Sequence, residues 1–197
     1  MSTALRTRFQ AEIPAWVVAE VSAAGEVLGG LEERMALANR LARHNVRDGG
    51  GGPFAALVVE RDGGRVLSAG VNRVLAANLS VAHAEVVALS LAQQRRGTWD
   101  LGARGFPATE LVVNWRPCLQ CCGAVLWAGV SHIVIPDDSG EMERITGFDE
   151  GPVVEDWIGQ FARRGIEVTR GVGLPEALAV FRDYAGWVAR GNAVVYN

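Results

Sequence analysis

Two short stretches of this 197-residue chain carry side chains able to do chemistry together. One is RPCLQCC, residues 116–122, which holds all three cysteines, Cys118, Cys121 and Cys122. The other is His83-Ala84-Glu85. A Cys-x-x-Cys at the start of a helix presents both sulfurs toward one point. Pro117 suits a first helical turn, where no intrahelical N–H is required. The free N–H groups and partial positive charge there favour thiolate over thiol. Two thiolates and one imidazole form a soft ligand set for tetrahedral zinc with the fourth position open, the mark of a catalytic site.

Each stretch alone reads more plainly. Cys118-x-x-Cys121 is also the pattern of a redox dithiol or of half a structural zinc site, and a lone His83 is ordinary. A structural zinc needs a fourth protein ligand, and the remaining histidines, His44 and His132, lie at no ligand-like spacing. A disulfide framework is disfavoured, because the cysteine number is odd and the loops would be tiny. Cys122, one position beyond Cys121, is rotated by roughly 100° on a helix. It reads as a small buried apolar residue pointing away from any metal.

The elements that must position these groups follow from periodicity. Residues 1–30 read as a helical or irregular N-terminal extension. Met35, Ala38, Leu41 and Ala42 recur at helical spacing within residues 32–46. The glycine run before Pro53 ends that helix; no Gly-Lys-Ser/Thr follows it, so it reads as a loop rather than a phosphate cradle. Residues 54–60 and 65–71 read as a hairpin. A polar loop (72–81), a helix (83–95), a strand (108–115), a helix (118–130) and a strand (131–136) follow. A helix (153–164), a short strand (165–171) and a last helix (174–191) complete the chain. Helices alternating with strands imply a sheet covered on both faces, and the opening hairpin makes that sheet mixed. The expected fold is α/β, a three-layer α/β/α sandwich around a mixed sheet of about five strands. No repeat or linker interrupts it, so residues 1–197 read as one domain.

Composition narrows the function. Apolar residues make up 49% of the chain, enough to build a core, and the net charge of −3 leaves no general footprint for a polyanion. No apolar run is long enough to span a membrane, and the N-terminus lacks a secretory signal. With no disulfide framework, a reducing, cytoplasmic compartment is the default expectation.

His-Ala-Glu combined with Pro-Cys-x-x-Cys is the signature of zinc-dependent nucleobase deaminases. From about residue 31 onward the sequence resembles the cytidine deaminase superfamily and, within it, the bacterial guanine deaminases. The stretches NVRDGGGGPFAALVV and AHAEVVAL carry this likeness, as does Gly147-Phe148-Asp149-Glu150 beside the family's Gly-Phe-Asp-Asp. The resemblance implies one zinc ion per subunit held by His83, Cys118 and Cys121, which lowers the pKa of a water. Glu85 takes that water's proton and delivers protons to the ring nitrogen and departing amine. Asn72 matches the base-reading asparagine, and Phe54 and Trp127 match aromatics that sandwich the base. The N–H of Ala84 and that of Cys118 or its neighbour would hold the attacking oxygen. Asp149 would accept from the guanine amine or shuttle its proton, with Glu150 as its substitute. Conversion of guanine to xanthine with ammonia release is the implied reaction. Guanosine, a cytosine-type base, an amino-triazine and tRNA adenosine are the alternatives, though the acidic balance makes nucleic acid a poor partner. The resemblance also implies a homodimer in which residues 180–197 are exchanged and Tyr196 closes the partner's pocket. Arg116 departs from the family's Glu before Pro-Cys, and Leu119-Gln120 from its Pro-Met, both beside the expected substrate.

Overall fold

The computed structural model describes residues 5–48, 50–152 and 155–196. Five strands form one sheet in the order β2-β1-β3-β4-β5. β1 (Ala55–Glu60) and β2 (Val66–Val71) are the expected hairpin, antiparallel with Leu57 opposite Ala69. β3 (Thr109–Val113) pairs antiparallel with β1, placing Val112 opposite Leu57. β4 (His132–Val134) and β5 (Glu167–Thr169) then add in parallel. The mixed α/β/α architecture expected from the sequence is the one observed.

Alternation along the strands divides the core, because successive side chains point to opposite faces of a sheet. Ala56, Val58, Leu111, Val113 and Ile133 pack with α4 (Ala84–Arg96), α5 (Leu119–Ala128) and α7 (Trp157–Ala162). Leu57, Val59, Val112 and Val134 face the other way, against α2 (Leu31–Arg47) and α8 (Leu174–Ala189). A third cluster, containing Trp115, Met142, Phe148, Phe181 and Tyr184, extends the core beyond β3 toward the C-terminal residues.

Several boundaries differ from the sequence reading. α7 starts later than expected, and residues 153–154 of that expected helix lie outside the described residues. The polar loop after β2 contains a single helical turn, α3 (Val74–Ala77), and α6 (Glu141–Thr146) had no periodic signal because it is barely longer than a turn. The N-terminal extension forms α1 (Ala15–Ala24), whose Val17 enters the second core layer. Beyond α1, Val27 bridges antiparallel to Arg65, just before edge strand β2. None of the described helices is long and apolar enough to cross a membrane.

Candidate metal and substrate site

Two helix starts meet at one end of the sheet. His83 is the N-cap of α4, and Cys118 is the N-cap of α5, with Cys121 in that helix's first turn. His83 Nδ1 lies 3.5 Å from Cys118 Sγ and 3.6 Å from Cys121 Sγ. A tetrahedral zinc with ordinary Zn–N and Zn–S bond lengths would hold nitrogen and sulfur about 3.6 Å apart. The three donors already stand at that separation, all within 4.8 Å of one another. The residues present therefore fit a zinc ion, and a three-ligand set leaves its fourth position for water or substrate.

Among the protein groups alone, the cluster is strongly polarised. The hydrogen bond from Cys121, joined by one from His83, outweighs burial and brings the Cys118 thiol down to about 4. Cys121 moves the opposite way, well above the usual thiol range, because it is the donor in that pair and is buried. Burial works against an imidazolium at His83, yet the hydrogen bond to Cys118 and the charge of Glu85 raise it to about 9. Metal binding must therefore displace protons from His83 and Cys121. Cys122 stands apart. Burial pushes it up to about 12, and its thiol donates to the Pro117 carbonyl at 3.5 Å.

Glu85, in the first turn of α4, is buried. Burial and then the negative charge of Cys118 raise its carboxyl above the ordinary range, which suits a group that must take and return a proton. Ala84 is the first residue of α4, so its backbone N–H belongs to the unpaired set at a helix start, next to the His83 ligand.

The cluster opens into a cavity of about 290 Å³. His83, Glu85 and Cys118 line it, together with Phe54, Asn72, Glu150 and Tyr196. Phe54 meets Phe148 edge-on at 5.4 Å, and both rings face the cavity. Asn72 is almost wholly buried, and its backbone N–H donates to the Phe54 carbonyl at 3.0 Å.

Trp127 corrects the expectation that it would flank the base: it is 80% exposed and does not line the cavity. Six positions after Cys121 on α5, it is rotated by roughly 120° from the ligand face. Phe148 lines the cavity beside Phe54 and extends the same aromatic wall. The only sequence signal for it was its place as the apolar member of the Gly-Phe-Asp-Glu stretch.

Both members of the acidic pair line the cavity, at different depths. Asp149 is exposed at the rim, with one carboxylate oxygen accepting from Gly151 N–H at 2.9 Å. Glu150 is the more buried of the two. Burial, followed by the charges of Cys118 and Glu85, raises it to about 7. Tyr196 lines the cavity of its own chain, since the C-terminal residues fold back and the hydroxyl lies 2.9 Å from Gly52 N. Arg116 also lines the cavity, ion-paired with Glu143 of α6.

Comparison with known proteins agrees with this geometry. Residues 30–136 match the family model for the cytidine and deoxycytidylate deaminase zinc-binding region. The fold superposes on NE0047 in complex with 2,6-diaminopurine with a TM-score of 0.84 and 45% identity, covering 95% of this chain and 96% of that one. It superposes on guanine deaminase from Nitrosomonas europaea with a TM-score of 0.85 and 43% identity, covering 93% and 99%. It is 32% identical over 82 residues to the tRNA-specific adenosine deaminase of Buchnera aphidicola, covering 42% of this chain and 50% of that one. The chain spans between 26% and 56% of the length of the first three curated relatives it matches.

Proposed function

This chain belongs to the cytidine and deoxycytidylate deaminase family, and from that premise we propose that it hydrolyses the exocyclic amine of guanine, giving xanthine and ammonia. The observation that carries this reading is the placement of Glu85 beside a three-donor metal cluster, at the floor of a cavity walled by Phe54 and Phe148. The likeness to guanine deaminase from Nitrosomonas europaea over nearly the whole chain supports guanine as the base.

His83, Cys118 and Cys121 would hold the zinc, which when bound activates a water for attack on the amine-bearing carbon. Glu85 accepts the proton released by that water. It then returns protons to the ring nitrogen and to the leaving amine, a cycle that its raised proton affinity supports. Glu150 faces the same space with a carboxyl that titrates near neutrality. It is the second acid–base group, the role the sequence had assigned first to Asp149. Phe54 and Phe148, in edge-on contact with each other, form one aromatic wall against which the base packs, and Asn72 offers its amide to the ring edge. The cavity lies at the lower end of the range of roughly 300–1,000 Å³ for small-molecule sites, which favours a free base over a nucleoside.

The reading extends to a cytoplasmic enzyme, consistent with three cysteines outside any disulfide, that works as a homodimer of one-domain subunits. The test is ammonia release by zinc-loaded protein offered guanine, guanosine, cytosine, adenine, ammeline and a tRNA anticodon stem-loop. Turnover of guanine above the others is expected. Turnover of the stem-loop with silence on guanine would overturn the substrate assignment, and a monomer by sedimentation would overturn the dimer.

A further inference from the structure

Two hydrogen bonds converge on the amide oxygen of Asn72 and a third feeds one of them, and their directions are fixed by the groups that make them. Val74 N–H, which can only donate, points at Asn72 Oδ1 at 3.2 Å. The Tyr196 hydroxyl lies 2.6 Å from the same oxygen. Gly52 N–H, again only a donor, points at the Tyr196 hydroxyl at 2.9 Å. The hydroxyl therefore accepts from Gly52 and gives its proton to Asn72. The chain runs with one polarity from Gly52 N–H through Tyr196 O–H to Asn72 Oδ1, where Val74 N–H arrives from the other side. Hydrogen bonds aligned head to tail in a low-dielectric site reinforce one another.

We infer that Tyr196 is a positioning residue that fixes the orientation of the Asn72 amide, so that Asn72 meets the substrate as a hydrogen-bond donor only. An asparagine amide carries one acceptor and two donors, and either end can face a ligand unless its surroundings decide. Here the oxygen is saturated by two donors, and Nδ2 is the end left for the cavity that Asn72 lines. A donor-only reader selects a base with a ring nitrogen or carbonyl oxygen at that edge and rejects one with N–H or C–H there. The choice is set from the far end of the chain, 124 positions away in sequence.

The glycine run that looked like a plain loop is part of this device. A Cβ on Gly52 would stand 2.4 Å from the Tyr196 hydroxyl, and one on Gly51 would stand 2.4 Å from the Asn72 carbonyl oxygen. Only residues without side chains let the turn after α2 approach both partners. The Tyr196 ring is held independently, edge-on to Phe148 at 5.3 Å. Removing the hydroxyl therefore leaves the ring seated.

The inference rests on the base-deaminase reading, and two measurements separate them. The first needs no substrate. The Asn72 side-chain amide, assigned in ¹⁵N spectra by its loss in Asn72→Ala, gives one sharp pair of signals in the wild type. In Tyr196→Phe that pair broadens or doubles as the amide begins to flip. The second compares guanine with 3-deazaguanine and 7-deazaguanine, each of which replaces one ring acceptor by C–H. One analogue lacks the acceptor that Asn72 reads and is disfavoured by the wild type. Tyr196→Phe shrinks that preference by about 3- to 10-fold, the effect of one hydrogen bond, through KM more than kcat. Gly52→Ala, which pushes the hydroxyl away, has the same effect, and the double variant is no worse than either single one. An unchanged Asn72 signal, or an equal loss on guanine and both analogues, would overturn the inference. A wild type that ignores guanine would overturn the function instead, leaving the amide signal to decide the positioning role.

Discussion

Gly70 decides how closely the metal-binding helix sits on the sheet. It lies in β2, under α4, and a Cβ built there would stand 2.3 Å from the Ala84 carbonyl oxygen and 2.6 Å from Ala88 N. Both are backbone atoms, so no side chain can swing aside. Ordinary contact begins near 3.4 Å, and Gly70→Ala must therefore lift the first turn of α4 by about 1 Å. Overpacking of this kind costs about 1–3 kcal/mol, or a melting temperature lower by roughly 2–12 °C for a chain of this size. The functional consequence is larger than the stability loss. His83 immediately precedes Ala84, and metal–ligand distances tolerate only about ±0.2 Å. Raising His83 away from Cys118 and Cys121 should weaken zinc at least as much as losing an outer-shell partner does, about 10- to 100-fold. Competition with a chromophoric chelator measures the affinity, and calorimetry of the metal-stripped protein measures the fold separately. Gly123→Ala is the control: it lies in α5, and a Cβ there meets nothing within 4 Å. That variant should bind zinc normally and gain up to about 1 kcal/mol of helix stability. Wild-type zinc affinity and melting temperature in Gly70→Ala would refute the claim that contact between α4 and β2 sets the ligand geometry.

Other perturbations follow from the same groups. Glu85→Gln should retain zinc by metal analysis and lose about 10²- to 10⁴-fold in ammonia release, because the amide cannot carry the proton. In metal-stripped protein Cys118 is held down to about 4, so its thiolate persists as pH falls far below the ordinary thiol value. Iodoacetamide should then label Cys118 alone at pH 6, as mapped by mass spectrometry, and bound zinc should block it. Glu110 bridges Arg34 at 2.6 Å and His132 at 3.0 Å within the buried sheet, and these partners hold its carboxyl below the usual range despite burial. Its contribution is present above the unfolded carboxylate value and is lost as pH falls through the lower folded value. Glu110→Gln strands the Arg34 charge and should cost about 3–5 kcal/mol in urea unfolding, with the zinc stoichiometry unchanged.

The parts of the site that could be read from the sequence are those whose geometry is local. Cys118 and Cys121 share one helical turn, Pro117 precedes it, and His83 and Glu85 share another, so residue type and spacing suffice to place the three metal donors and the carboxylate beside them. The hairpin and α4 were equally plain, because their apolar periods are sustained over several residues. Trp127 shows how the same reasoning fails: its spacing from Cys121 matched a pattern, but the pitch of α5 turns it outward, leaving it 80% exposed. The choice between Asp149 and Glu150 was not legible either. In a loop no period assigns adjacent side chains to opposite sides, and burial alone separates the rim carboxylate from the inner one.

Tyr196 carries the point further. Its partners are Gly52, Asn72 and Phe148, three residues from three unrelated loops. No window of sequence contains any two of these contacts. The zinc ligands define what reaction is possible, and two helix starts are enough to define them. The walls that choose the substrate come from loops that the sheet brings together, so they can vary without disturbing the metal. Arg116 illustrates this: it stands directly beside Pro117 and Cys118, yet its ion pair with Glu143 of α6 directs it into the cavity wall rather than the metal cluster. The chemistry is written in short spacings along the chain, and the specificity is written in contacts across it.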